Sequence, residues 1–273
     1  MFLNFLVLRV KPTQKLHYRF KCDFPNYIYG SGLFGSGVQQ IMSEMYVGGD
    51  YLRLNPTWDA EHSEWKANLI RDLLNENCVQ FNKMIEIGCG AGQILVQLSK
   101  MFPSRLFVGF DISPQAHELA KQFETENVWF NLGDYLKEPE SKQEVIVCAD
   151  VFEHVEDYLG FLKSLSKKSE LVVFHIPLDL SLVSILIPEV LLKSRRNVGH
   201  LHYFNKEIAE ATLVTCGYKI IDSRITAGCL EFPDRGMLGR TYWLIRKLCS
   251  YMSLSITARV FGGFSLLVLA EGE

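Results

Sequence analysis

The chain is 273 residues long, room for one large domain or a domain with a modest cap. Hydrophobic residues make up 48% and charged residues 22%, which excludes a wholly disordered, collagenous or disulfide-framework protein. The formal charge of −3, from 28 basic and 31 acidic side chains, supplies no overall pull toward nucleic acid, and no nucleic-acid partner is expected.

The opening segment, Met1 to Val10, is apolar but lacks a leading positive charge and a small-residue cleavage site. It reads as a strand or packing arm rather than a signal peptide. Residues 1–57, rich in aromatics and loosened by Gly30, Gly32, Gly35 and Gly37, read as an N-terminal cap on the substrate side. Residues 58–273 read as the main domain. Within it, short apolar runs at Met84–Ile87, Leu106–Phe110, Val128–Phe130, Val145–Cys148 and Leu171–Phe174 predict buried strands. Helical spacing of apolar residues over Gly92–Met101, Pro114–Phe123 and Val155–Leu165 separates them. Ser113 before Pro114 is a capping residue followed by proline at the first helical position. This alternation predicts an α/β fold, a doubly wound and mostly parallel sheet covered on both faces. A helix over Asn205–Cys216, a strand over Tyr218–Ser223 and a last strand over Phe264–Leu269 follow.

Two insertions, 176–203 and 225–262, break the rhythm and read as lids. Their stretches Leu180–Leu192 and Tyr242–Met252 concentrate apolar residues, and Arg240, Arg246 and Lys247 add positive charge to the second. Such a stretch suits a pocket cover, a homodimer contact or peripheral contact with a membrane surface. No run reaches the ~20 apolar residues that span a bilayer, so no transmembrane segment is expected. The seven cysteines are scattered and form no C-x-x-C pair, which points to buried thiols in a reducing cytoplasm and to no structural zinc.

The first strand runs into Glu86-Ile87-Gly88-Cys89-Gly90-Ala91-Gly92 and then a helix. A dinucleotide fingerprint would place a glycine at 93, where this chain has Gln93, and a P-loop would place a lysine after the glycines. An acid at the strand end suits a cationic ligand better than a pyrophosphate. Asp111, Asp134 and Asp150 end the next three strands, so with Glu86 they predict four carboxylates in one crevice at the carboxyl edge of the sheet, where such sheets bind ligands. Glu153 and His154 follow in the first turn after the fourth strand.

Taken together, the EIGCGAG loop, Asp111 in GFDIS, the GDY triplet and the ADVFEHVED segment resemble those of class I S-adenosylmethionine-dependent methyltransferases of the small-molecule and glycan-cluster type. The resemblance covers roughly Trp58 to Ser223. It implies a seven-stranded sheet whose last strand is antiparallel, and S-adenosyl-L-methionine as cofactor. It also implies that Glu86, Gly88, Cys89, Gly90 and Gly92 hold the methionine portion and Asp111 the ribose hydroxyls. Ile112 is then expected on adenine, Asp134 and Tyr135 at the adenine edge, and Asp150 in a cofactor or substrate role. Asn55-Pro56-Thr57-Trp58 also looks like the substrate-side entrance of related methyltransferases.

The acceptor is expected to be a small molecule or glycan, methylated on oxygen. Removal of a hydroxyl proton suits a histidine, with His154 first and His200, His202 or His175 in reserve. His200 and His202 flank Leu201, a spacing that would place both on one side of an extended segment. Two histidines without a local third ligand are weak evidence for a metal, and none is expected. A partner subunit that binds the cofactor without chemistry, or a methyltransferase of macromolecules, are the competing readings. Helix capping by Asp150 and core packing of His154 and Trp65 are the structural alternatives.

Overall fold

The computed structural model describes residues 45, 46, 48–139, 142–232 and 236–273, with the side chains of 237 and 238 excepted. The packing arm read into Met1–Val10 and most of the 1–57 cap lie outside them. The described residues begin with helix α1 (Asp50–Leu54), a 3-10 turn (Ala60–His62) and helix α2 (Ser63–Glu76). Strand β1 (Lys83–Ile87), helix α3 (Gln93–Met101), strand β2 (Leu106–Asp111), helix α4 (Pro114–Lys121) and strand β3 (Val128–Leu132) follow. After strand β4 (Gln143–Ala149) come a 3-10 turn (Phe152–His154), helix α5 (Tyr158–Ser166) and strand β5 (Ser169–Leu178).

Seven strands form one sheet in the order β3-β2-β1-β4-β5-β7-β6, where β6 is Lys219–Thr226 and β7 is Phe264–Glu271. The pairs β1–β2, β1–β4, β2–β3 and β4–β5 are parallel, and β7 runs antiparallel to both of its neighbours. This is the doubly wound, mostly parallel sheet that the alternation predicted. Its strands read as unbroken apolar runs because both faces are covered. Ile85, Ile146, Cys148, Val172 and Phe174 join one hydrophobic cluster, while Met84, Val145, Val147 and Val173 join the other. The period of two is what sorts them. On α2, Ala67, Ile70, Leu73 and Leu74 are buried at helical spacing on the second face.

Element ends differ from expectation for local reasons. Asp157 accepts a hydrogen bond from Gly160 N at 2.9 Å and so starts α5 at Tyr158, leaving Phe152–His154 as a separate turn. β5 continues to Leu178, because Ile176, Pro177 and Leu178 pair with Leu266, Ser265 and Phe264 of β7. The first insertion therefore starts after the strand, as helices α6 (Leu182–Leu186) and α7 (Glu189–Val198). Helix α8 (Lys206–Thr215), capped by Asn205, returns the chain to the sheet. The second insertion holds helices α9 (Gly228–Glu231), α10 (Met237–Ser250) and α11 (Leu254–Phe261). Among the described residues, no helix is long and apolar enough to cross a membrane.

Phe174 is fully buried, with its ring centroid 5.1 Å from that of Tyr218 and 6.1 Å from that of Phe152. Phe174→Ala is expected to cost about 3–5 kcal/mol by urea denaturation, the range for a truncated core aromatic. Lys167→Ala, on the rim of the same layer, is expected within about 0.5 kcal/mol of the parent.

Candidate active site

The carboxyl ends of β1, β4 and β5 open into a cleft of about 450 Å³, lined among others by Glu86, Gly90, Asp150, His154 and His200; Asp111 and Asp134, expected in the same crevice, are not in its lining. That volume lies within the range of small-ligand sites. The glycine turn makes its floor. Gly88, Gly90 and Gly92 all have positive φ, at 66°, 53° and 75°. At Gly90 a Cβ would also stand 2.5 Å from Trp58 Cδ1, so the turn needs glycine for its backbone and for the indole above it.

Four amides of this turn are committed to the protein. Gly88 N and Cys89 N both donate to the Phe110 carbonyl, at 2.8 and 3.1 Å, and Gly92 N donates to the Cys89 carbonyl at 2.8 Å. Gly90 N donates to Asp111 Oδ2 at 2.8 Å, while Asp111 Oδ1 accepts from Ser113 N at 2.8 Å. A loop spent in this way does not cradle phosphate as a nest of free N–H groups does. The Cys89 side chain is buried against Gly109. It faces the cleft chiefly through its main chain.

The carboxylates at this edge divide by what surrounds them. Asp150, a non-glycine residue at φ 54°, accepts from His175 Nδ1 at 2.9 Å and from Lys66 Nζ at 2.8 Å. Burial works against its charge, but His175 and Lys66 outweigh that and hold its pKa well below the carboxylate range. Lys66 also donates to Asp59 at 2.5 Å, and the two acids hold its ammonium above the usual lysine range despite its burial. Glu86 is fully buried and its Oε2 has no hydrogen-bond partner. Burial pushes its pKa well up, only partly offset by Lys66. Glu153 is likewise fully buried, and neither of its carboxylate oxygens has a hydrogen-bond partner.

His154 and His200 meet at the far wall with ring centroids 4.8 Å apart. His154 Nδ1 pairs with the Tyr46 hydroxyl at 3.0 Å, and His200 Nδ1 with Asp179 Oδ2 at 2.5 Å. Burial, reinforced by His200, pushes the pKa of His154 down to about 4. That makes His154 a weak base near neutrality. His202, expected beside them, is turned away: its Nε2–H donates to the Val155 carbonyl at 2.9 Å and its ring packs on Tyr158. Leu201 N and His202 N both donate to the same carbonyl, that of Glu153, so the backbone turns here and the two histidines diverge.

Ile112 lies exposed beside Asp111 and offers an apolar surface to a flat ring. Asp134 spends Oδ1 on the amide of Leu136, at 3.0 Å, as a turn cap. Tyr135 is a correction. Its 3-10 turn rotates the ring into the core, fully buried 5.0 Å from Phe110, where no ligand in the cleft reaches it. Sequence reading also missed Lys66, Tyr46 and Asp179. Lys66 carried a signal, since it falls on the Ser63–Ala67–Ile70 stripe that α2 buries.

Comparison with known proteins agrees with this geometry. A family model described as a methyltransferase domain matches residues 60–222. A tRNA1(Val) (adenine(37)-N6)-methyltransferase of Vibrio campbellii is 35% identical over 78 residues, 26% of this chain and 33% of that protein. A tRNA (guanine-N(7)-)-methyltransferase of Dictyostelium discoideum is 36% identical over 63 residues, 23% of this chain and 21% of that protein. The chain thus spans only a third or less of these curated relatives. Among solved structures, the magnesium protoporphyrin IX methyltransferase (ChlM) of Synechocystis PCC 6803, with bound SAH, superposes with a TM-score of 0.56. That match covers 86% of this chain and 100% of the other at 13% identity, a likeness of fold.

The His154 ring is expected to titrate near pH 4, against about 6.5 for a free imidazole, in an NMR pH series on histidine-labelled protein. Below about 6.5 the unfolded chain takes up a proton that the folded ring refuses. The contribution of His154 to stability is therefore complete above that pH and lost as pH falls through about 4. A midpoint between 6 and 7 would show that the ring is solvated.

Proposed function

The chain belongs to the methyltransferase-domain family, and on that premise we propose that it binds S-adenosyl-L-methionine in the cleft and methylates an oxygen of a small-molecule or sugar acceptor. The observation that carries the cofactor reading is Glu86: a fully buried carboxyl at the strand end, one oxygen without a partner, above a turn with four amides already spent. Such a group takes up a proton or pairs with a cation. The ammonium and sulfonium of S-adenosyl-L-methionine meet that need, and the SAH-bound Synechocystis neighbour shares the fold.

Each residue then has a task. Glu86 receives the ammonium, and Lys66, held between Asp59 and Asp150, faces the carboxylate end. Asp111 keeps lone pairs for the ribose hydroxyls while its two N–H contacts hold the turn in shape. Ile112 lies under the adenine. When bound, the cofactor supplies an electrophilic methyl group on an already activated leaving group. What remains for the protein is alignment, for which effective molarities reach about 10⁵ M or more, and activation of the acceptor oxygen. The second task falls to the wall of His154 and His200, the imidazoles that line the cleft.

A small acceptor is favoured over RNA on two grounds. The chain has a net charge of −3, and its matches to the tRNA enzymes span 78 and 63 residues only. Phosphate backbones are bound by clustered Lys and Arg, whereas the cleft wall carries Asp59, Glu61, Glu86 and Asp150 against Lys66.

Isothermal calorimetry of the full chain is expected to show one S-adenosyl-L-methionine per molecule. Asp111→Ala and Glu86→Gln should each weaken it at least tenfold, about 1.4 kcal/mol. No heat with the intact protein would sink the reading. Incubation with radiolabelled cofactor and either a small-molecule extract or bulk tRNA should label the extract. Label in tRNA would favour a macromolecular acceptor, and binding without product would favour a partner subunit.

A further inference from the structure

We propose that Glu153, His154 and His200 form a binding site for a divalent transition-metal ion on the acceptor side of the cleft. The inference deepens the methyl-transfer reading and rests on it for its chemistry, while the ion site itself stands on side-chain geometry. The pairing of His200 with His202 gave no reason to expect a metal. The donors come instead from two distant parts of the chain, the 3-10 turn after β4 and the end of the first insertion. One ligand atom from each of the three residues lies within 4.8 Å of the others. The amides of Leu201 and His202, donating to the Glu153 carbonyl at 2.8 and 3.1 Å, clamp the two parts together.

Glu153 supplies the independent observation. It is fully buried, neither oxygen is hydrogen-bonded, and the nearest group able to carry a positive charge that it faces is His154 Nε2 at 3.8 Å. A buried carboxylate left in that state costs several kcal/mol unless a proton or a cation joins it. The two imidazoles are oriented as ligands rather than as core packing. In each, Nδ1 is engaged by another side chain: by Tyr46 in His154, and by Asp179 and the Ser194 hydroxyl, at 2.5 and 2.9 Å, in His200. Engagement of Nδ1 leaves Nε2 as the ligating nitrogen, and a carboxylate behind an imidazole is the usual outer support of a metal-bound histidine.

The donor set selects the class of ion. Two neutral imidazoles and one carboxylate suit zinc, iron or manganese in the divalent state better than magnesium, which prefers oxygen throughout. Bonds of about 2.1 Å at tetrahedral angles separate ligand atoms by about 3.4 Å. In the present set Glu153 Oε1 and His154 Nε2 stand 3.8 Å apart and all three ligand atoms lie within 4.8 Å, somewhat wider than that. His154 and His200 both line the cleft, so the ion would keep positions open toward an acceptor.

An acceptor hydroxyl bound there becomes more acidic, as metal-bound water does. Its proton passes to solvent, and the oxygen forms its bond to the methyl carbon. The sulfur–methyl bond breaks with its electron pair left on sulfur, giving the neutral thioether. The imidazoles then act as ligands and need not take up the proton, which agrees with the low basicity of His154.

The test uses the full chain, stripped with a chelator, dialysed and titrated with Zn²⁺ by calorimetry, and with Co²⁺ followed by its visible d–d absorption. One equivalent of each ion is expected. His200→Ala and Glu153→Gln should each weaken Zn²⁺ by at least 100-fold, and Asp179→Asn by about 10- to 100-fold. Should Glu153→Gln fail to fold by circular dichroism, His200→Ala carries the test from the edge of the insertion. Absence of stoichiometric binding would overturn the site. So would binding that survives both substitutions, which would place the ion at the thiols. Calorimetry with S-adenosyl-L-methionine on the same samples separates the two proposals: metal bound without cofactor would sink the methyl-transfer reading alone, and cofactor bound without metal this one alone.

Discussion

Four acidic side chains collect at the carboxyl edge of this sheet, and the cost of burying them governs the architecture around it. Glu86, Asp111 and Glu153 are all under a tenth exposed, and Asp150 lies partly covered beside them. A carboxylate in that position must be hydrogen-bonded, paired with a cation or protonated. Two of the four find partners within the protein. Asp111 takes two main-chain amides and in doing so ties the glycine turn to the start of α4. Asp150 takes His175 and Lys66, which draws α2 across the mouth of the cleft. The satisfied pair shapes the site. The unsatisfied pair, Glu86 and Glu153, is left with carboxylate oxygens that no group of the protein hydrogen-bonds.

Backbone conformation follows the same division. Trp58, Asp59 and Asp150 are non-glycine residues with φ of 51°, 58° and 54°. Each such conformation costs of order 1 kcal/mol or more and persists where the surroundings hold it. Here the holding interactions are plain. Asp59 and Asp150 share Lys66, and Trp58 lies on Gly90 with the tilted ring of Tyr51 at 4.7 Å. A single buried lysine thus fixes the strained turn before α2 and the strained residue after β4 in one arrangement.

The fold was legible because parallel strands buried on both faces must be apolar at every position, and the helices between them carry one wet side. Glu86, Asp111 and Asp150 were legible for a related reason: each is the charge that ends such a run. Tyr46 and Asp179 were not, since nothing local marks a side chain whose partner lies 108 or 21 residues away, and Lys66 showed only its place on a buried stripe. Tyr135 misled because a strand-end triplet does not disclose that Asp134 caps a 3-10 turn, which sends the next ring inward. His202 misled because alternation assumes an extended backbone. Two amides converging on the Glu153 carbonyl show that the segment is turned instead. In both cases the error lay in a local geometry set by one side-chain or main-chain hydrogen bond, the scale at which residue spacing says least.

Access to the imidazole wall is controlled by how the cover is attached. The Tyr46 hydroxyl donates to the Val198 carbonyl at 2.9 Å, and Asn55 Nδ2 donates to the Asn197 carbonyl at 3.0 Å. These bonds join the segment before α2 to the end of the first insertion, directly over His154 and His200. Hydrogen bonds of this kind contribute about 0.5–1.5 kcal/mol each to the folded state. The Lys66 anchor sits on the other side between Asp59 and Asp150, where loss of one ion pair would still leave the ammonium with the other acid. The cover is therefore held by unequal fastenings: two neutral hydrogen bonds on the side of the imidazoles, and a lysine paired with two acids on the side of the glycine turn.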